Sequence, residues 1–178
     1  MKKILISVLS ILLMTSAHGL PTGAPVCDVF ADYSNVTGMT NRTRNPNSGT
    51  YQLTANVTAY NPFEHVEITI TGDSFLGLMF TVVDEQGNKV GTFSPDTQVR
   101  DCDGQAMSIT HSDRLGLTSK TLFWIPPSDY VGTVYVLGYV LEGAAGTGAA
   151  QNFYRFVRDD NSALAIPESD VIFLNSFD

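Results

Sequence analysis

The 178-residue chain is 43% hydrophobic and 16% charged, which suits the core of one ordinary domain and argues against a disordered tail. Its formal net charge of −8 argues against general attraction to nucleic acid, heparin-like polyanions or anionic lipid. Past the first residues no apolar run is long enough to predict a membrane-spanning helix.

The first residues, MKKILISVLSILLMTSAHG, place Lys2 and Lys3 before an apolar block from Ile4 to Met14. Small residues then lead to Ala17-His18-Gly19. This is the pattern of a secretory signal peptide over residues 1–19, with an Ala-x-Gly cleavage site. The alternative, an uncleaved anchor, is opposed by the shortness of the apolar block. Without Lys2 and Lys3, 8 basic and 18 acidic residues remain, a formal charge of −10. Arg42 and Arg44 make only a tiny basic patch.

Cys27 and Cys102 are the two cysteines. In an exported chain their simplest state is one disulfide. It would close a loop of about 75 residues, contributing roughly 4 kcal/mol in the chain-entropy model. Two cysteines fall short of a closed zinc site, and the C-x-x-C spacing of a redox pair is absent.

The mature chain reads as strands. In TYQLTANVTAY (Thr50 to Tyr60), Tyr51, Leu53, Ala55, Val57 and Ala59 share one face, and Gln52, Thr54, Asn56 and Thr58 share the other. That alternation predicts a half-buried strand. HVEITIT repeats it with Val66, Ile68 and Ile70 inward, and FLGLMFTVVD (Phe75 to Asp84) is apolar on both faces, as in a central strand. EQGNK predicts a turn and VGTF a return strand. QAMSITH follows Cys102, then KTLFWI and VGTVYVLGYVLE separated by PPSDY, then QNFYRFVR. About eight short strands with no amphipathic helix predict an all-β sandwich, with Trp124 in its core. EGAAGTGAA (Glu142 to Ala150) reads as a flexible hairpin connection. The expected organisation is a signal peptide over 1–19, a sandwich domain over 20–158 and a tail over 159–178, whose VIFLNSF is either an edge strand or an exposed docking segment.

His111, Ser112 and Asp113 are the residue types of a hydrolytic triad. Consecutive strand residues point to opposite faces, however, whereas triads assemble from distant residues with the base between nucleophile and orienter. No G-x-S-x-G elbow is present, so no catalytic residue is assigned. His65 and His111 lack a third metal ligand in the sequence, and Asp101-Cys102-Asp103-Gly104 lacks the later ligands of a calcium loop. No metal or cofactor is therefore expected. Asn35, Asn41 and Asn56 each head an N-x-T sequon, candidate glycan sites if the source is eukaryotic. Tyr33, Tyr130 and Tyr154 could form a ligand face, or pack across neighbouring strands.

Four blocks in order resemble the reelin, or reeler, domain family of extracellular proteins. GAPVCDVF (Gly23 to Phe30) is similar to its opening segment with the first cysteine. VEITITGDSFLGLMFTVVDEQGNKVGTF (Val66 to Phe93) is similar to its central block, a strand, a Gly-x-x-Phe turn and a long apolar strand. CDGQAMSITHSD resembles its second cysteine and Thr-His-Ser segment, and LFWIPPSDYVGTVYVLGYVLE its Trp-x-x-Pro and following strand. The resemblance covers Gly23 to Arg158. It implies an immunoglobulin-like sandwich, a Cys27–Cys102 bridge and a structural role for Thr110-His111-Ser112. It carries no catalytic residues.

The functional expectation is a secreted, non-catalytic module that binds an extracellular glycan, surface component or protein. It would use inter-strand loops (Gly38 to Gly49, Arg114 to Ser119, Gly143 to Gly148) or one sheet face. An innate-defence effector acting on microbes is the alternative, and a secreted hydrolase the third. No nucleic-acid partner and no membrane span after signal cleavage are expected. The location would be extracellular, or periplasmic in a bacterium.

Overall fold

The computed structural model describes residues 23–24, 27–29, 43–45, 47–62, 64–113, 115–129, 131–143 and 152–169. These contain ten strands and no helix: β1 (Thr43–Arg44), β2 (Gln52–Ala55), β3 (Val66–Val83), β4 (Thr92–Ser94), β5 (Val99–Asp101), β6 (Ser108–His111), β7 (Leu117–Ile125), β8 (Val134–Glu142), β9 (Asn152–Phe156) and β10 (Leu164–Ile166).

β3 organises the rest. Its first half pairs antiparallel with β2 on one side and β7 on the other, and β4 extends the layer from β7. Its second half pairs with β6 and β8, and β5 lies on β6. β9 and β10 pair with β8, and β1 runs parallel to β9. The hand-over falls between Thr71 and Gly77, where the register shifts twice and Phe75 faces both Leu117 and Glu142. One strand thus turns the corner between two layers by bulging, as sandwich corners do. Gly72 serves that corner: φ is +154°, and a Cβ there would lie 2.5 Å from the Tyr51 ring.

The main core lies between the layers. Ile68, Ile70, Leu122 and Trp124 from the first meet Phe80, Ile109, Val136 and Phe156 from the second. Trp124 is fully buried, meets the Tyr60 ring edge-on at 5.5 Å and donates its indole N–H to the Val90 carbonyl (3.1 Å). A second apolar cluster joins Leu76, Met79, Val83, Leu137, Tyr139, Leu141 and Phe153 with Val29 of the N-terminal segment. The Cys27–Cys102 disulfide (Cα–Cα 5.5 Å) ties that segment down, and Tyr139 Oη donates to the Val29 carbonyl at 2.5 Å.

The all-β sandwich with one disulfide is as expected; the strand inventory differs. HVEITIT and FLGLMFTVVD form one 18-residue strand. Gly72 to Phe75, expected as a turn, stays inside it, because pairing passes from β7 to β8 without chain reversal. The predicted strand over Thr50 to Tyr60 forms a ladder only at Gln52–Ala55, with an isolated bridge from Tyr60 to Glu168, although its alternation of exposure continues to Thr58. β1, β5 and β10 are additional. β10 lies within residues assigned to the tail and pairs with β8 through Leu164, Ala165 and Ile166. VIFLNSF lies outside the described residues. Among the described residues, no helix is long and apolar enough to cross a membrane.

Candidate functional site

The His-Ser-Asp triplet is built into the frame. His111 ends β6 and is 4% exposed; its Nδ1 lies 3.2 Å from both the nitrogen and the oxygen of Leu78. The ring presses on Gly77, where a Cβ would come within 2.7 Å of Cε1. Ser112 Oγ–H donates to the Thr97 carbonyl at 3.0 Å, and Asp113 is exposed. The imidazole thus packs inward while the hydroxyl is bound to backbone, an arrangement that supports strand β6.

His65 is exposed, and among the described residues no group of three or more His, Cys, Asp or Glu side chains could hold a metal ion. Asp101 Oδ1 accepts the Asp103 and Gly104 N–H groups, both at 3.0 Å, which closes a turn. Asp103 in turn binds Lys89 Nζ at 2.9 Å, and Lys89 also reaches the Cys27 carbonyl at 3.3 Å. Burial alone would push the Asp103 carboxyl up. The Lys89 hydrogen bond, the Gln105 N–H and the Lys89 charge outweigh it and hold the group at about 2. This cluster clasps the disulfide region to the β3–β4 connection.

Asn35, Asn41, Tyr33 and Tyr130 lie outside the described residues, as do most of the loop positions 38–49 and 143–148. Tyr154 is half-buried with its ring 5.1 Å from that of Tyr51, so it packs across strands. Asn56 is exposed at the end of β2: its N–H donates to the Glu67 carbonyl (3.1 Å) and its Oδ1 accepts the Glu67 N–H (2.9 Å).

The outer face of the first layer presents a different surface. Register places Thr54 beside Thr69 and Thr69 beside Thr121, with 2.9 Å between the hydroxyls of the second pair. The next row is Gln52, Thr71 and Ser119, and the row on the other side is Glu67, Phe123 and Ser94. Strands lie about 4.8 Å apart and alternate residues about 7 Å apart along them, so hydroxyl and amide groups form a regular grid across this face. At its edge stands Phe123, 39% exposed, the one large hydrophobic side chain counted as exposed among the described residues. The alternation in HVEITIT and TYQLTANVT announced the grid, but Phe123 lay hidden inside the apolar string LFWI. Its outward orientation follows from Leu122 and Trp124 both pointing inward.

These features define a disulfide-bonded β-sandwich module with one open polar face and one face covered by its own N-terminal segment. The reeler domain profile matches residues 34–145, and the chain belongs to the reeler domain family. It is 38% identical over 86 residues to Defense protein l(2)34Fc of Drosophila melanogaster, across 44% of this chain and 54% of that protein. The chain therefore spans about half the length of this curated relative. The crystal structure of the Reelin-N domain of F-spondin superposes with a TM-score of 0.57 at 18% identity, covering 74% of this chain and 95% of the other. The human F-spondin reeler domain gives 0.55 at 16%, covering 72% and 95%. These likenesses establish the fold.

Proposed function

We propose that the mature chain is a secreted, non-catalytic binding module whose ligand is an extended surface glycan, held on the open face of β2, β3, β7 and β4. The observation that carries this reading is Phe123, an exposed aromatic ring beside rows of Thr, Ser and Gln side chains. Leaving a large apolar ring in water without a partner gives up the free energy of its burial. Aromatic rings stack on the apolar faces of sugars, and hydroxyl and amide groups fix orientation. The Asn56 sequon borders this grid through Glu67, so a glycan attached there would overhang the Phe123 row.

The test is binding of the exported, oxidised protein to arrays of glycans and microbial surface components at two salt concentrations, beside Phe123→Ala and Thr121→Ala. The expected result is a saturable hit, unchanged by salt because the face carries little charge, and lost in Phe123→Ala. Silence across the array, or binding untouched by both variants, sinks the proposal.

A second reading, a defence effector acting on microbes, is favoured by the likeness to the Drosophila defence protein. Growth inhibition at low dose that survives Phe123→Ala would support it over simple recognition. Extracellular location rests on the family and on the signal-like residues 1–19; N-terminal sequencing of the exported protein should begin near residue 20.

A further inference from the structure

A second site lies on the covered side of the molecule, and none of the residues of the Phe123 rows lines it. An open cavity of about 390 Å³ is bounded by the β3–β4 turn at Gln86 and Gly87, strands β8 and β9, and the turn after β9. Val83 and Leu137 line its apolar part together with Val29 and Val157. Its volume falls within the roughly 300–1,000 Å³ of small-molecule pockets.

Two arginines converge on it. Arg155 on β9 lies over the Tyr139 ring at 5.8 Å, and its Nε is buried with no hydrogen-bond partner. Buried donors in folded proteins are nearly always paired, and leaving one unpaired is costly, more so on a charged group. Nε itself is sealed from the cavity, so what an anion bound there would meet is the charge of the Arg155 guanidinium, a lining group of the cavity. Arg158 is held rigidly: Nη1 donates to the carbonyls of Asp84 (3.3 Å) and Glu85 (2.8 Å), and the group stacks over Tyr135 at 4.9 Å. Both arginines line the same cavity, and guanidinium groups suit the planar, paired recognition of an oxyanion. Asp159 on the same rim cancels one of the two positive charges, so the polar end carries a net charge of +1.

We infer that this pocket binds an amphipathic small molecule with a single negative charge: a carboxylate or similar head between Arg155 and Arg158, and a short apolar body against Val83, Leu137, Val29 and Val157. Charge complementarity selects a monoanion, and the apolar walls select against a bare inorganic ion. The inference stands apart from the glycan proposal, because it involves none of the residues of the β2–β3–β7–β4 face.

The probe is 8-anilinonaphthalene-1-sulfonate, a fluorescent amphipathic monoanion, titrated into the oxidised full chain. Competition with sodium octanoate, octanol, octyltrimethylammonium and sodium acetate follows. The expected result is one saturable site, displaced by octanoate and at least about tenfold less well by the other three, since each lacks the head charge or the apolar body. Arg155→Met and Arg158→Gln should each weaken probe and octanoate about tenfold or more, and Phe123→Ala should leave both unchanged. Arg158 is exposed, so Arg158→Gln keeps the test decisive should Arg155→Met fail to fold. Non-saturable fluorescence, equal displacement by octyltrimethylammonium, or affinity unchanged in Arg158→Gln would overturn the inference.

Discussion

The two halves of β3 make the most instructive comparison. From Val66 to Thr71 the strand alternates buried and open positions; from Phe75 to Val83 every residue is buried. The first half has core on one side and water on the other. The second has the main core on one side and, on the other, the cluster that includes the N-terminal Val29. A single-sided strand leaves a face free to meet a ligand. A double-sided strand needs a cover, and this chain fastens part of one through a disulfide and the Lys89–Asp103 pair.

The largest expected effect is on the fastened half. Replacing Cys27 and Cys102 together by Ser should cost about 4 kcal/mol, read as a lower denaturation midpoint that reduction of the native protein reproduces. Intact mass of the oxidised protein should fall about 2 Da below that of the reduced form, one bridge having replaced two thiols.

A sharper probe uses the same residue type in both halves. Thr81 is fully buried and donates its hydroxyl to the Met107 carbonyl at 2.8 Å; Thr69 lies on the open face against Thr121. Thr81→Ala strands that carbonyl and should cost about 1–3 kcal/mol, whereas Thr69→Ala should stay below about 1 kcal/mol. Equal costs in chemical denaturation would remove the distinction between the halves.

The clasp predicts a pH dependence. Asp103, held at about 2, lies below the unfolded carboxylate value of about 3.9. Its contribution is therefore complete above pH ~4 and is lost as pH falls towards 2. Asp103→Asn should remove up to about 2 kcal/mol at neutral pH and flatten the stability profile between about pH 4 and 2. An unchanged profile would mean that the Lys89 contact contributes nothing.

The smallest effects belong to exposed or backbone-bound side chains. Phe123→Ala should change stability by less than about 0.5 kcal/mol while abolishing glycan binding, and Ser112→Ala should shift stability by less than about 1 kcal/mol and leave function intact. Loss of a measured activity in Ser112→Ala would revive a hydrolase.

Much of the fold was legible because burial imposes a period on the sequence. Leu53, Ala55 and Val57 alternate with Gln52, Thr54 and Asn56 whichever strand they pair with, and a fully buried strand is apolar at nearly every position, as FLGLMFTVV is apart from the hydrogen-bonded Thr81. Short pieces were not legible: two residues of β1 or three of β10 become strand only because β9 and β8 offer them partners. The bulge at Gly72 to Phe75 looked like a turn because glycine and polar residues serve either purpose.

The candidate sites follow the same division. The residues themselves determined an all-β domain, one disulfide, an acidic surface and the reeler resemblance, since these depend on composition, local period and order along the chain. Tertiary structure alone decided that His111 faces Leu78 rather than Ser112, that Phe123 points to water, and that Arg155 meets Arg158 and the β3–β4 turn around one cavity. Those placements depend on pairing between residues up to tens of positions apart, and neither pattern nor propensity along a chain encodes which distant strand comes to lie alongside.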